Sequence, residues 1–201
     1  DWKWDDSDVM PDDVLEAWNS VDGLDELNIY INSPGGSVFA GQAIYNMLNR
    51  NKAKKNVYVD GVAASMASII ALVGDNIYIP SNAYFMIHKP LTIAVGNASD
   101  FRKLADDLDV IEKGLVNIYE ENLKEGIDIE TIKDLMEKET WLTGQEVQDY
   151  FNVDVIEPKN YAACGSDLLA KYEKTPRKLV AVENKEDDLT KFQNELDLLD
   201  L

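Results

Sequence analysis

Two successive strand–turn–helix units constrain the fold of this chain more than any other feature of its sequence. The first covers residues 27–50 with a turn at 33–36, and the second covers residues 56–73 with a turn of small residues at 61–65. Consecutive units of this kind pair their strands in parallel through right-handed crossovers. We therefore expect an α/β fold with both turns at the carboxyl ends of neighbouring strands, where such sheets place their functional sites.

The rest of the chain continues the alternation of strands and helices. A helix is expected from Pro11, because proline suits the first helical turn and the two aspartates after it suit the helix dipole. Further strands are predicted at 76–79, 83–87 and 153–156, and further helices at about 97–123, at 129–138 and from Thr143 onward. Periodicity fades after Glu157, and the acidic residues of 183–201 are typical of a solvated tail.

The composition indicates a globular domain and excludes several classes of function. The 201 residues carry a net charge of −19, which repels nucleic acid and anionic membranes. No apolar run reaches the roughly 18 residues that would span a bilayer. One cysteine, Cys164, and one histidine, His88, leave no basis for a disulfide framework or a metal cluster. We expect no cofactor, no metal and a cytoplasmic location.

Ser65 is a candidate nucleophile because it stands between a strand and the start of a helix, with only small residues before it. Small neighbours leave room for a substrate, and a helix N-terminus directs free backbone N–H groups at a developing oxyanion. The alternative is a plain helix N-cap, a position that serine favours. The stretch 61–68 alone favours the cap, and the remaining motifs reverse that preference.

The first turn and the single histidine supply what a serine nucleophile needs. Gly35 and Gly36 leave backbone N–H groups unshielded, so the amides of Gly36 and Met66 are candidates for one oxyanion site. His88 follows a strand and is the candidate base. Taken singly, the glycines are more typical of a tight turn and the histidine of a structural role. The many carboxylates leave the third member of a triad open.

Several segments closely resemble the proteolytic subunit of the Clp protease, ClpP, in the order in which that family has them. They are Tyr30–Gly41, Gly61–Met66 and Met86–Pro90, followed by Gly96–Asp100 and Trp141–Glu146. The resemblance covers roughly residues 27–156. Details at 35–46 and 139–143 look like the ClpP-related head-maturation proteases of tailed phages and prophages. The Ser-Pro-Gly-Gly motif alone also occurs in crotonase-like enzymes.

The resemblance implies a ClpP/crotonase-like spiral of βαβ units and specific roles for individual residues. Ser65 matches the family nucleophile and His88 its general base. Gly36 and Met66 match the residues whose amides form the oxyanion hole.

At the position of the family's triad acid, two residues before Trp141, this chain has Glu139 where the family has aspartate. Glutamate is one methylene longer, and Asp134 is the alternative. Ser68 is displaced from any family site residue and is expected to serve packing or support.

The long helix at 97–123 has a heptad seam that allows two interpretations. Its apolar members are Phe101, Leu104, Leu108, Ile111, Leu115 and Ile118. Such a seam packs on the protein's own sheet or against a helix of another subunit. The resemblance implies the second, because the family forms stacked rings that meet through this helix.

These observations together predict a serine endopeptidase. We expect an N-terminal segment at 1–26 with one helix, a protease core at 27–156 and a C-terminal extension at 157–201. The expected role is phage or prophage head maturation, acting on scaffold and capsid proteins in the host cytoplasm or procapsid. Alternatives are a bacterial Clp-type subunit working with an ATPase, a crotonase-like acyl-CoA enzyme and a vestigial assembly subunit.

Overall fold

The computed structural model of this chain describes residues 8–20, 23–158, 169, 171–176 and 179. The acidic tail predicted for 183–201 lies outside these residues, as does Cys164. In the described ranges the helices are α1 (Pro11–Ser20), α2 (Val38–Asn49), α3 (Met66–Ala71), α4 (Ala98–Glu121), α5 (Ile129–Glu137) and α6 (Gly144–Val147). The strands are β1 (Glu26–Ser33), β2 (Lys54–Ala64), β3 (Asn76–Pro80), β4 (Tyr84–Ile87), β5 (Thr140–Thr143) and β6 (Asp154–Ile156).

The expected α/β class is confirmed by a sheet built mainly from parallel strands. Within the described residues the strands run in the order β5-β4-β2-β3-β6, and β1 pairs with β2 from outside this path. The pairs β1–β2, β2–β3, β2–β4 and β3–β6 are parallel. The two leading strand–turn–helix units therefore place their strands side by side, as the sequence predicted.

Strand β2 is longer than predicted, and the small-residue turn is correspondingly shorter. Residues 61–64 were expected to form a turn, but they continue the strand because β2 changes partners along its length. Its first part pairs with β3, from Asn56 opposite Asn76. Its end pairs with β4, from Val62 opposite Tyr84. The turn is thereby reduced to Ser65.

Strand β5 was not predicted, because residues 139–142 were interpreted as a connection to a helix that begins at Thr143. The segment runs antiparallel to β4, with Thr140 opposite Ile87 and Thr143 opposite Tyr84. Four residues with threonine at both ends carry too weak a pattern to identify a strand without its partner. This pairing places Glu139, immediately before β5, next to the residue that follows β4.

The main core lies on one face of the sheet and joins it to five helices. Its helical members are Ile44, Tyr45 and Leu48 of α2, Met66, Ala67, Ile69 and Ala71 of α3, Leu115, Val116 and Tyr119 of α4, Ile132 and Met136 of α5, and Val147 of α6. In α2 to α5 these residues lie mainly 3 or 4 positions apart, which keeps one apolar stripe of each helix on the sheet. No helix in the described part of the chain is long and apolar enough to cross a membrane.

The heptad seam of α4 divides into two halves with different surroundings. In the second half, Leu115 is buried and Ile111 and Ile118 pack against the core. In the first half, the side chain of Phe101 stays 49% exposed, and Leu104 and Leu108 are only half-buried. Packing on the chain's own core therefore accounts for the second half of the seam. The first half projects from the domain.

Candidate active site

Three strand ends meet at one edge of the sheet and bring the predicted residues together. At this edge β2 lies between β1 and β4, with Ala63 opposite Ser33 on one side and Ala64 opposite Met86 on the other. The next residues of the three strands are the Pro34 turn, Ser65 and His88. Ser65 therefore lies between the glycine turn and the histidine.

Ser65 has a strained backbone that turns its hydroxyl away from the helix it precedes. Its φ of 54° and ψ of −125° are rarely adopted by residues other than glycine. The amide of Ser65 donates to the carbonyl of Met86 at 2.9 Å, which fixes the turn to β4. Although Ser65 occupies the N-cap position of α3, its side chain caps no backbone amide there. The N-cap interpretation therefore does not describe its hydroxyl.

The hydroxyl of Ser65 instead contacts the imidazole of His88. Ser65 Oγ and His88 Nε2 are 2.7 Å apart, a hydrogen-bond distance suited to proton transfer. Burial lowers the pKa of His88, the charge of Glu139 raises it and the charge of Lys171 lowers it, with a net decrease. A lowered pKa keeps the ring neutral near pH 7, and a neutral nitrogen accepts a proton from a hydroxyl.

Ser68 and Tyr119 hold the strained turn from the core side. Ser68 Oγ donates to the carbonyl of Ser65 at 2.6 Å and lies 2.8 Å from the hydroxyl of Tyr119. The single proton of Ser68 goes to the carbonyl, so the Tyr119 hydroxyl donates to Ser68. Burial raises the pKa of Tyr119, which keeps this donor protonated. Sequence reasoning expected support from Ser68 but missed Tyr119, although its position four residues after Leu115 indicates the same helix face.

The glycine turn packs directly against the junction of β2 and α3. Gly35 has a φ of +78°, and a Cβ on it would lie 2.4 Å from the carbonyl oxygen of Ala64 and 2.8 Å from the amide nitrogen of Met66. Only glycine allows this approach. A Cβ on Gly36 would meet nothing within 4 Å among the described residues, so that position faces open space. The two segments that carry the Gly36 and Met66 amides are therefore in contact.

Glu139 lies beside His88 in register, but its carboxylate is engaged elsewhere. Its oxygens accept hydrogen bonds from the backbone amides of Lys174 at 2.6 Å and Glu173 at 3.2 Å. Glu139 also has a φ of 46°, a conformation that is unfavourable for a glutamate. Asp134, the alternative acid, is exposed on α5. Among the described residues no group of three or more His, Cys, Asp or Glu side chains could hold a metal ion.

A segment near the C-terminus covers this edge of the sheet, which no sequence pattern indicated. We call its described residues, 169, 171–176 and 179, the strap. The hydroxyl of Tyr172 donates to the carbonyl of Pro34 at 2.7 Å, and its ring lies edge-on to His88 with centroids 5.0 Å apart. Burial raises the pKa of Tyr172 to about 12, although a hydrogen bond with Ser65 opposes the rise. Tyr172 thus contacts the glycine turn and both members of the Ser65–His88 pair.

Comparisons with known proteins bear on the chemistry of this arrangement. A family model described as Clp protease matches residues 13–159. The ATP-dependent Clp protease proteolytic subunit of Ligilactobacillus salivarius is 37% identical over 140 residues, which cover 69% of this chain and 70% of that protein. The protein of the same name from Bacteroides fragilis strain ATCC 25285 is 33% identical over 141 residues, covering 69% of this chain and 67% of that protein. The chain thus spans about two thirds of the length of these relatives.

Proposed function

Since this chain belongs to the Clp protease family and is a serine-type peptidase, we propose that Ser65 is its nucleophile and His88 its general base. One observation carries the assignment: the 2.7 Å contact between Ser65 Oγ and His88 Nε2. The strained turn at Ser65 supports it, because strain of this kind is commonly retained where it positions a reacting group. A neutral imidazole at this distance is the partner that a serine hydroxyl requires.

The proposed reaction proceeds in two acyl-transfer steps. Ser65 Oγ attacks the carbonyl carbon of a peptide bond while His88 Nε2 takes the hydroxyl proton. His88 then gives this proton to the amine as the carbon–nitrogen bond breaks, which leaves an ester on Ser65. A water molecule next attacks the ester carbon and transfers a proton to His88, and the return of that proton to Ser65 Oγ releases the acid.

The amides of Gly36 and Met66 are proposed to bind the oxyanion that forms in both steps. The close packing of Gly35 on Ala64 and Met66 supports this, because it joins the two segments that carry these amides. The amide of Met66 also begins α3, where free N–H groups and the helix dipole favour negative charge. Loss of one such donor typically slows a reaction roughly 100- to 1000-fold.

Glu139 is proposed as the acid that orients His88 and stabilises its protonated form. Its charge already acts on the ring, since it raises the pKa of His88 against the effect of burial. Asp134 is the weaker candidate because it is exposed on α5, and the charges that shift the pKa of His88 are those of Glu139 and Lys171. In this proposal the carboxylate of Glu139 exchanges its hydrogen bonds to Glu173 and Lys174 for one to the imidazole.

The biological setting is proposed from the sequence details at 35–46 and 139–143. These resemble phage and prophage head-maturation proteases, so the substrates would be scaffold and capsid polypeptides, with hydrolysis in the host cytoplasm or procapsid. A Clp-type peptidase subunit that works with an ATPase is the second candidate, favoured by the names of the curated relatives.

In either case we propose stacked homo-oligomeric rings that meet through the projecting half of α4, at Phe101, Leu104 and Leu108.

The test is the intact mass of the protein after long exposure to a fluorophosphonate, which reacts with activated serines. The assignment predicts one adduct on the wild type and none on Ser65→Ala or His88→Ala. Ser20→Ala is the matched control, because Ser20 lies exposed at the end of α1, and it should keep the adduct. If the protein were a crotonase-like acyl-CoA enzyme, Ser65→Ala would keep the acyl-CoA activity, because that chemistry needs no serine nucleophile. An assembled protein whose wild type and control both remain unmodified would have a vestigial site.

A further inference from the structure

The strap covers an apolar surface that ends at the proposed catalytic residues. Val62 and Ala64 of β2 and Tyr84 and Met86 of β4 alternate with core residues and therefore face away from the main core. The strap side chains that cover them are Leu169, Tyr172 and Leu179, with Trp141 partly buried alongside. This surface lies directly beside Ser65, so a chain segment bound on it passes the nucleophile.

Tyr172 occupies the end of this surface beside Ser65, where a substrate must approach; we call this space the substrate crevice. Its hydroxyl reaches the carbonyl of Pro34 in the glycine turn, at 2.7 Å. Its ring contacts the edge of His88 and lies 6.2 Å from the ring of Trp141. A side chain placed between the glycine turn and the base excludes a substrate carbonyl from the same space.

The backbone of the strap is held by the residue proposed as the triad acid. Both carboxylate oxygens of Glu139 accept hydrogen bonds from strap amides, those of Glu173 and Lys174. Hydrogen bonds to an ionised carboxylate are stronger than neutral ones. The ammonium of Lys174 also donates to the carbonyl of Lys138. While the strap is bound, each oxygen of Glu139 therefore holds a strap amide, and the carboxylate makes no hydrogen bond to His88.

The strap is shaped by a hydrogen bond between two of its own residues. It also covers the indole of Trp141 without supplying that group with a hydrogen-bond partner. The hydroxyl of Thr175 donates to the carbonyl of Leu169 at 2.6 Å. The buried indole Nε1–H of Trp141 finds no hydrogen-bond partner in the described part of the chain. An unsatisfied buried donor costs free energy. A peptide carbonyl or water that reached this nitrogen would recover that energy, which favours replacement of the strap by another occupant.

We propose that the strap is a tethered occupant of the substrate crevice, which must leave before a polypeptide binds and whose departure frees Glu139 for His88. This inference rests on the proposed function, and it adds to it an autoinhibited state. The strap competes with the substrate for the space beside Ser65. It also withholds the acid of the triad.

The rate at which a fluorophosphonate modifies Ser65 tests the competition in the full chain. Tyr172→Ala removes the ring from the crevice and should raise the second-order rate constant at least tenfold over the wild type. Tyr172→Phe keeps the ring and loses only the hydroxyl, so it should give a smaller increase. Tyr30→Ala is the matched control, because Tyr30 is an exposed tyrosine of β1, and it should react at the wild-type rate. Equal rates for the wild type and Tyr172→Ala would overturn the proposal.

Thr175→Val provides a second route, because it preserves every strap side chain that faces the site. It removes the hydrogen bond to Leu169 and should also raise the rate, by less than Tyr172→Ala does. A Tyr172→Ala protein that fails to fold would leave this variant as the deciding measurement. A folded Thr175→Val protein that reacts no faster than the wild type would then overturn the proposal.

A labelled peptide with the sequence of residues 169–179 separates failure of this proposal from failure of the proposed function. It should bind Tyr172→Ala, as measured by fluorescence anisotropy, and slow the modification of Ser65. The same peptide with Tyr172→Ala should do neither. Modification of Ser65 at one rate in all variants, without peptide binding, would refute the strap and leave the peptidase intact. Peptide binding without an adduct in any variant would support the strap contact and refute the proposed chemistry.

Discussion

The two faces of strands β2 and β4 are both buried, but by different kinds of cover. On one face Val59, Phe85 and their neighbours lie under helices that are themselves packed together in the main core. On the other face Val62 and Met86 lie under a few strap residues that follow the last strand. Both faces show similarly low exposure. The helices that bury the first face hold the fold together. The strap residues that bury the second face could be replaced by a bound polypeptide.

The difference follows from how each cover gains its free energy. A helix of the main core shares its ordering cost among residues that contact both the sheet and other helices. The strap contacts only one surface of the domain, and ordering it costs roughly 1–2 kcal/mol of backbone entropy per residue. Full burial of an apolar side chain returns roughly 1.5–3 kcal/mol. Only three strap side chains are buried against the sheet, so the strap gains less free energy per ordered residue than a core helix does.

The largest expected effect compares one aromatic residue on each face. Phe85→Ala removes a ring that is 1% exposed in the main core, and it should lower the free energy of unfolding by about 3–5 kcal/mol. Tyr172→Ala removes a ring that is 5% exposed beneath the strap, and it should cost less than half as much, because the strap can detach. Urea denaturation of the two variants measures both values. Equal losses would show that the strap is an integral part of the fold.

The two glycines of the first turn extend the comparison to single positions. Gly35→Ala places a methyl group against the Ala64 carbonyl and forces a residue with a Cβ to adopt a φ of +78°. We expect a loss of about 2–4 kcal/mol, because backbone strain and overpacking each cost roughly 1–3 kcal/mol. The methyl group of Gly36→Ala extends into open space, so the free energy of unfolding of this variant should stay within about 0.5 kcal/mol of the wild-type value. Similar midpoints in thermal unfolding for the two variants would contradict this prediction.

A smaller effect is expected from the hydrogen bonds that support Ser65 from the core side. Ser68→Ala removes the donor to the Ser65 carbonyl and leaves the buried Tyr119 hydroxyl without its partner. We expect a loss of stability of roughly 1–3 kcal/mol, since an unsatisfied buried group costs about that much. The fluorophosphonate should also modify Ser65 more slowly, because the strained turn relaxes.

Tyr119→Phe is the matched control for this supporting pair. It removes the buried Tyr119 hydroxyl but leaves Ser68 bonded to the Ser65 carbonyl. Its modification rate should therefore stay near that of the wild type. If Tyr119→Phe slowed the reaction of Ser65 as much as Ser68→Ala, the support would come from α4 rather than from Ser68.

The sequence predicted those features whose signals are local. Strand ends, small residues and proline breaks predicted that Ser65, the glycine turn and His88 would meet. The interpretation of 61–64 as a turn was wrong, because small residues also suit a buried strand with a close neighbour, here β4. The strap was not predicted, since the contact between Glu139 and Lys174 joins residues 35 apart with no shared pattern. Tyr119 was missed because only apolar residues were counted in the seam.

The smallest expected effect concerns the pH dependence of Ser65 modification. It separates the effect of burial on the pKa of His88 from the effect of nearby charges. The base must be unprotonated, so the rate falls as the pH falls through the pKa of His88. Burial and Lys171 lower this pKa and Glu139 raises it, so in the wild type the fall should lie below pH 6.5, the ordinary pKa of histidine. Among the described residues, Tyr172 is the titratable side chain in contact with the ring.

Release of the strap should move this fall to higher pH. Tyr172→Ala uncovers His88, separates it from Lys171 and lets Glu139 approach, and each of these changes raises the pKa of the ring. Lys171→Ala removes this charge, together with the contact of its ammonium with the Tyr172 ring, and should give a smaller shift in the same direction. Lys133→Ala, on the exposed side of α5, should give none. The rate of modification at pH values from 5 to 8 measures all four proteins. If the profile of Tyr172→Ala coincided with that of the wild type, the low pKa of His88 would arise from the main core, and the strap would not control the base.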